Sequence, residues 1–131
     1  MRRRRRGRGL ERSHFRQLVR EAVASLPPEL LSRVHNVDIV IESRPTAHDR
    51  KAAGIGPRSL LLGLYHGVPL TRRGENYNLV APDKISIYQE HIEQICSTDD
   101  EIREQVRKTV LHEIGHYFGI DDDRLHELGM G

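Results

Sequence analysis

Eleven residues near the C-terminal end constrain this chain more than any other feature: His112-Glu113-Ile114-Gly115-His116-Tyr117-Phe118-Gly119-Ile120-Asp121-Asp122, which read H-E-x-x-H-x-x-G-x-x-D. Histidines four apart lie one turn above each other on the same face of an α-helix. Both imidazoles can then reach one Zn²⁺ ion at about 2.0–2.1 Å. Glu113 follows the first histidine and stands beside the ion. There it can take a proton from a water whose pKa zinc lowers to roughly 7. Gly119 can adopt positive φ, end the helix and turn the chain back under the metal. The turn most simply delivers Asp122 as third ligand, with Asp121 or Asp123 placed to orient it. Three protein ligands leave a fourth position open, as in catalytic rather than structural zinc sites. H-E-x-x-H alone also occurs on solvated helix faces; the glycine and aspartate at these spacings separate this motif from that background.

The extended motif resembles that of the zincin metallopeptidases, in the metzincin-like form whose third ligand is Asp instead of His. From about Ser13 onward the chain resembles the small bacterial family of minimal zincin-like metallopeptidases. The resemblance implies an α/β (α+β) fold, a single domain in which a small mixed β-sheet packs against an N-terminal helix and the zinc-binding helix. It also implies Zn²⁺ held by His112, His116 and Asp122, Glu113 as general base, and a peptide or protein substrate. Two features depart from full metzincins. Nine residues follow Asp122, so the expectation is a cleft without a C-terminal subdomain as its far wall. Met130, the sole downstream methionine, stands too near the end to form a methionine turn beneath the metal.

Composition sets the class. A chain of 131 residues, 37% hydrophobic and 31% charged, fits one domain with a modest core and a polar surface. No apolar run reaches the roughly 20 residues of a membrane span, and no apolar segment follows the basic N-terminus as a signal peptide would require. The single cysteine, Cys96, has no partner for an internal disulfide. These points lead to the expectation of a cytoplasmic protein with no membrane association, in which Cys96 is a small semi-buried hydrophobe.

Residues 1–12 differ from the rest. Arg2 to Arg6 and Arg8 form a charge block, read as a disordered arm. Removing residues 1–12 takes away seven of 21 basic and one of 19 acidic side chains, leaving 14 against 18, a body of net charge −4 with His neutral. The basic balance therefore belongs to the arm. Such an arm either holds nucleic acid or an acidic partner through phosphate neutralisation or is simply solvated; no interleaved aromatics suggest base stacking.

The domain at 13–131 opens on a helix over Ser13–Ser25, capped by Ser13 and carrying Phe15, Leu18, Val19, Ala22 and Val23 at helical spacing. A short helical turn at Glu29–Arg33 and a strand at Val37–Ile41 follow. Thr46–Pro57 reads as polar loop, Ser59–Val68 as a second strand, Thr71–Asp83 as a charged loop and Ile85–Tyr88 as a third strand. His91–Cys96 reads as helix. Thr98 with Glu101 forms a capping box for a helix from Asp99, whose Ile102, Val106, Val110, Ile114 and Phe118 make an apolar stripe beside the histidines. A short helix around Arg124–Glu127 ends the chain. Zincins add a peptide to an edge strand; by resemblance that edge is Leu62–Gly67 or Ile85–Tyr88. Tyr65, His66 and Tyr88 are then cleft candidates, with packing as the ordinary alternative for each.

Three functions fit these residues. One is a zinc metallopeptidase in which Glu113 activates water, with Tyr117 as candidate oxyanion stabiliser. Another is a metal-dependent RNA hydrolase using the arginine arm. The bacterial ribosomal-RNA maturation endoribonucleases resemble this spacing as H-G-x-x-H-x-x-G-x-D-H, and Glu113 and Asp122 both depart from that pattern toward peptidase. The last is a zinc-stabilised binding or chaperone-like module.

Overall fold

Phe15, Leu18, Val19 and Ala22 are spaced three and four apart, and the segment carrying them forms helix α1 (Arg12–Ala24), with all four side chains buried. The computed structural model describes residues 9–69 and 83–127, apart from the side chains of Leu125 and His126. Within them follow α2 (Pro28–Arg33), β1 (Val37–Glu42), α3 (Ala47–Ala53), β2 (Gly63–His66), β3 (Asp83–Tyr88), α4 (Gln89–Ile95), α5 (Asp99–Tyr117) and α6 (Asp122–Glu127).

The expected stripe on α5 forms. Ile102, Val106, Val110 and Ile114 are at most 2% exposed and meet α1 and the Ile85–Ile87 face of β3 in one core. Each such side chain contributes about 1.5–3 kcal/mol by burial. Phe118, the last of the stripe, is only partly buried, and Tyr117 takes the core position beside it. The sheet runs β1-β3-β2, with β1 parallel and β2 antiparallel to β3. It is therefore the expected small mixed sheet; α5 packs on β2 and β3, and α1 packs on α5. Of the two candidate edges, β2 is the edge strand; Ile85–Tyr88 lies in β3 at the centre.

Four expectations change. Ser13 is not the cap of α1: the helix begins at Arg12 after Glu11, without a side-chain cap. Nor do residues 10–12 belong to the arm. The Arg12 guanidinium donates to Gln89 Oε1 (2.7 Å), the Ile41 carbonyl (3.1 Å) and Ser43 Oγ (2.9 Å), while Leu10 is held by Glu93 and Gln89. The folded contacts thus reach back to Leu10; Met1–Arg8 lie outside the described residues, as do Leu70 and Thr71–Pro82 of the expected charged loop. Thr46–Pro57 is not all loop, because it contains α3. There Thr46 Oγ1 accepts from Asp49 N–H (3.0 Å) and Asp49 Oδ2 from Thr46 N–H (3.1 Å), a reciprocal cap. Finally, β2 is four residues long, well short of Ser59–Val68.

Gly63 explains how β2 comes so close to α5. A Cβ there would stand 2.5 Å from Thr109 Cγ2 and 3.0 Å from the Ser86 carbonyl. Only glycine lets the strand lie against the helix at that point.

Candidate metal centre

Helix α5 is fixed at both ends. At its start Thr98 Oγ1 accepts from Glu101 N–H (3.1 Å), and Glu101 reaches back to Ser97 N–H (2.6 Å), one residue before the cap expected to receive it. At its end Gly119 sits at φ 85, Gly119 N–H donates to the His116 carbonyl and Ile120 N–H to the Gly115 carbonyl, both at 2.9 Å. These two bonds are those of a Schellman turn, which a left-handed glycine permits.

The turn also orients a histidine. It brings the Ile120 carbonyl to 3.1 Å from His116 Nδ1. A carbonyl only accepts, so Nδ1 carries the proton and Nε2 presents its lone pair to the outside. His116 Nε2 lies 3.2 Å from His112 Nε2. Asp122, first residue of α6, brings Oδ1 to 3.0 Å from each of these nitrogens. Asp121 touches no ring; its Oδ1 accepts from Arg124 N–H (2.9 Å), capping α6 and so holding the turn that presents Asp122.

These separations test whether an ion fits. Ligand atoms at about 2.0–2.1 Å from a tetrahedral zinc stand about 3.3 Å apart, close to the 3.0–3.2 Å found within this triangle. Two imidazoles and a carboxylate are also a donor set that zinc accepts. His112, Glu113 and His116 can likewise be grouped, their ligand atoms lying within 4.8 Å of one another. Asp122 makes the tighter set, since Glu113 Oε2 stands 4.0 Å from His112 Nε2.

Glu113 is instead turned toward the sheet. It is 6% exposed, and its Oε1 accepts from Tyr65 N–H at 2.8 Å. That donor follows from the strand register. Tyr88 N–H donates to the Leu62 carbonyl, and Leu64 pairs with Ser86. Antiparallel alternation then turns the N–H and C=O of Gly63 and Tyr65 away from β3. Burial pushes the Glu113 carboxyl up to about 7; the Tyr65 N–H opposes the rise and Asp122 adds to it.

A cleft of about 580 Å³ opens over these groups, bounded by the end of α5, by β2 and by the end of α3. Tyr65 lines it, as one of the sequence candidates. His66 and Tyr88 do not. His66 lies on the opposite face of β2, against Ser86 Oγ (3.1 Å), and burial, with Lys84 nearby, depresses its pKa. Tyr88 is fully buried and donates to Asp49 Oδ2 (2.8 Å). Tyr117 is a core residue packed edge-on to Tyr65, with ring centroids 5.9 Å apart, and lines no part of the cleft. Cys96 is buried, as expected of a small hydrophobe. The His126 side chain and Met130 lie outside the described residues. What the sequence did not disclose is the Tyr65 backbone donor and the α3 wall.

A family model described as zincin-like metallopeptidase matches residues 34–131, which include β2, α5 and the Asp122 turn. The chain belongs to the zincin-like metallopeptidase family. No curated protein matches it. The fold of this zincin-like chain is similar to that of a conserved hypothetical protein from T. thermophilus. The TM-score is 0.53 at 20% identity, over 91% of this chain and 97% of that one. At that identity the likeness speaks for the fold alone. No described helix is long and apolar enough to cross a membrane.

Proposed function

We propose that the protein is a zinc-dependent peptidase in which His112, His116 and Asp122 hold the metal and Glu113 is the general base. The observation that carries this reading is the division of labour between two carboxylates. Asp122 closes a triangle of donors with both histidines at 3.0 Å, while Glu113 stands outside it on a backbone N–H of the edge strand. When bound, zinc supplies polarisation of a carbonyl and acidification of water. Glu113, held by Tyr65 N–H, removes the proton from the attacking water and returns it to the leaving amine. Its pKa near 7 in the metal-free protein reflects a carboxylate with little solvation, the environment in which a base accepts a proton readily.

RNA hydrolysis is disfavoured by charge. The ionisable side chains lining the cleft among the described residues are three acids, two histidines and Tyr65, with no Lys or Arg; phosphodiesters call for the reverse. The binding-module reading draws on the openness of the site, where the Asp122 side chain is 76% exposed. A nucleic acid or acidic partner held through Arg2–Arg8 is a separate proposal. It is tested by deleting residues 1–9 and comparing RNA binding across salt. The buried single cysteine accords with a reducing compartment, and we propose the cytoplasm.

The test is turnover of a diverse peptide library and of structured RNA by zinc-loaded wild type and Glu113→Gln. Peptide cleavage that disappears in the variant while zinc stays bound supports the proposal. Zinc binding with no peptide cleavage by wild type contradicts it.

A further inference from the structure

Two helices bring the same turn to the cleft. Helix α3 ends on Gly54 at φ 72, with Gly54 N–H donating to the Lys51 carbonyl and Ile55 N–H to the Arg50 carbonyl, both at 3.0 Å. This repeats the Gly119–Ile120 turn of α5, and both isoleucines line the cleft. Ala52 and Ala53 extend the apolar surface around Ile55. The Arg50 guanidinium donates to the carbonyls of Gly56 (3.3 Å) and Ser59 (2.6 Å), which pins the loop carrying Ile55. Among the described residues, the acidic side chains lining the cleft with this wall are Glu113, Asp121 and Asp122.

We infer that the wall formed by Ala52, Ala53 and Ile55 is the side-chain specificity site of the cleft, which receives a small or medium apolar side chain of a neutral or basic peptide and rejects acidic ones. The inference rests on the peptidase reading above. An apolar side chain on this surface exchanges water for methyl groups. An acidic one would lose water, find no Lys or Arg among the described lining residues and stand near three carboxylates whose charge a bound Zn²⁺ only partly offsets. The wall has two alanines where bulkier residues would fill the space, so it selects by size as well as polarity. Differences of a methylene in an enclosed apolar site are worth about 10–200-fold, and a wall open on one side belongs at the lower end.

The test uses the full chain loaded with zinc and titrated with hydroxamates, which need no turnover. The probes are acetohydroxamate, with no side chain, and N-acetylated amino-acid hydroxamates of Ala, Leu, Lys and Glu. The Leu probe is expected to bind about 10-fold more tightly than the Glu probe, with Lys between them. Ala52→Lys, at an exposed helical position that tolerates lysine, is expected to close or invert the Leu–Glu gap, each affinity being taken relative to that of acetohydroxamate for the same protein. Ile55→Ala is expected to weaken the Leu probe selectively. Equal affinity for Leu and Glu probes, or an order unmoved by Ala52→Lys, overturns the inference and leaves the metal site standing. Failure of acetohydroxamate to bind zinc-loaded protein overturns the metal cleft itself.

Discussion

Helices α5 and α3 are built alike and tuned in opposite directions. Each starts on a threonine cap, ends on a left-handed glycine followed by isoleucine, and carries one buried carboxylate. In α3 burial pushes the Asp49 carboxyl up, but donors from Thr46 and the Tyr88 hydroxyl outweigh it and hold the group below its ordinary range. In α5 burial acts on Glu113 against one backbone donor among the described residues, and the group ends near 7. A saturated carboxylate is a structural anchor; an undersupplied one is available for proton transfer. The difference lies in the number of donors, which the neighbouring strands decide.

The largest effects are expected at the two carboxylates. In metal-free protein the folded pKa of Glu113 lies above its unfolded value of 4.5. Its contribution to stability is therefore full below pH 4.5 and is lost as pH rises toward and through 7. With one pKa unit worth about 1.4 kcal/mol, the loss is on the order of 3 kcal/mol. Glu113→Gln should remove that decline, so that denaturant unfolding at about pH 8 finds the metal-free variant more stable than wild type. Asp49→Asn should do the reverse. The folded pKa of Asp49 is lowered, so its contribution is present above 3.8 and lost as pH falls through that region. Replacing the charged acceptor is expected to cost about 1.5–3 kcal/mol at neutral pH. Destabilisation by both variants under those mildly alkaline conditions would erase the contrast.

The two glycines sharpen it. Gly119→Ala should cost about 1–2 kcal/mol for a left-handed residue. By disturbing the Ile120 carbonyl on His116 it should also weaken zinc binding by about 10-fold or more, read by chelator competition. Gly54→Ala has no atom within 4 Å of its new Cβ, so it should show only the backbone cost of about 1–2 kcal/mol, with zinc affinity unchanged. Equal zinc affinity in both variants would mean that the His116–Ile120 contact does not position the donor.

What could be read from the sequence follows the same contrast. The long helix was legible because its apolar residues repeat every four positions, its cap lies in sequence at Thr98 and Glu101, and H-E-x-x-H-x-x-G-x-x-D spaces donors that the fold then brings together. Ala47–Ala53 has no apolar face to give it away. Its only local marks were Thr46 with Asp49 and the glycine at 54, and the anchor that holds it, Tyr88, lies 39 residues away. The start of α1 was hidden for the same reason, since Arg12 finds its partners on β1 and α4. The Tyr65 N–H that holds Glu113 belongs to the backbone, so its direction came only with the register of β2 on β3.

In the proposed peptidase Asp122, and not Glu113, is the third metal ligand. Zinc stoichiometry of purified, reloaded Asp122→Ala and Glu113→Gln tests it most directly. One zinc per chain in Glu113→Gln, with zinc lost or markedly weakened in Asp122→Ala, is the predicted result. Zinc retained at wild-type affinity by Asp122→Ala and lost by Glu113→Gln would contradict the account and make Glu113 the third ligand.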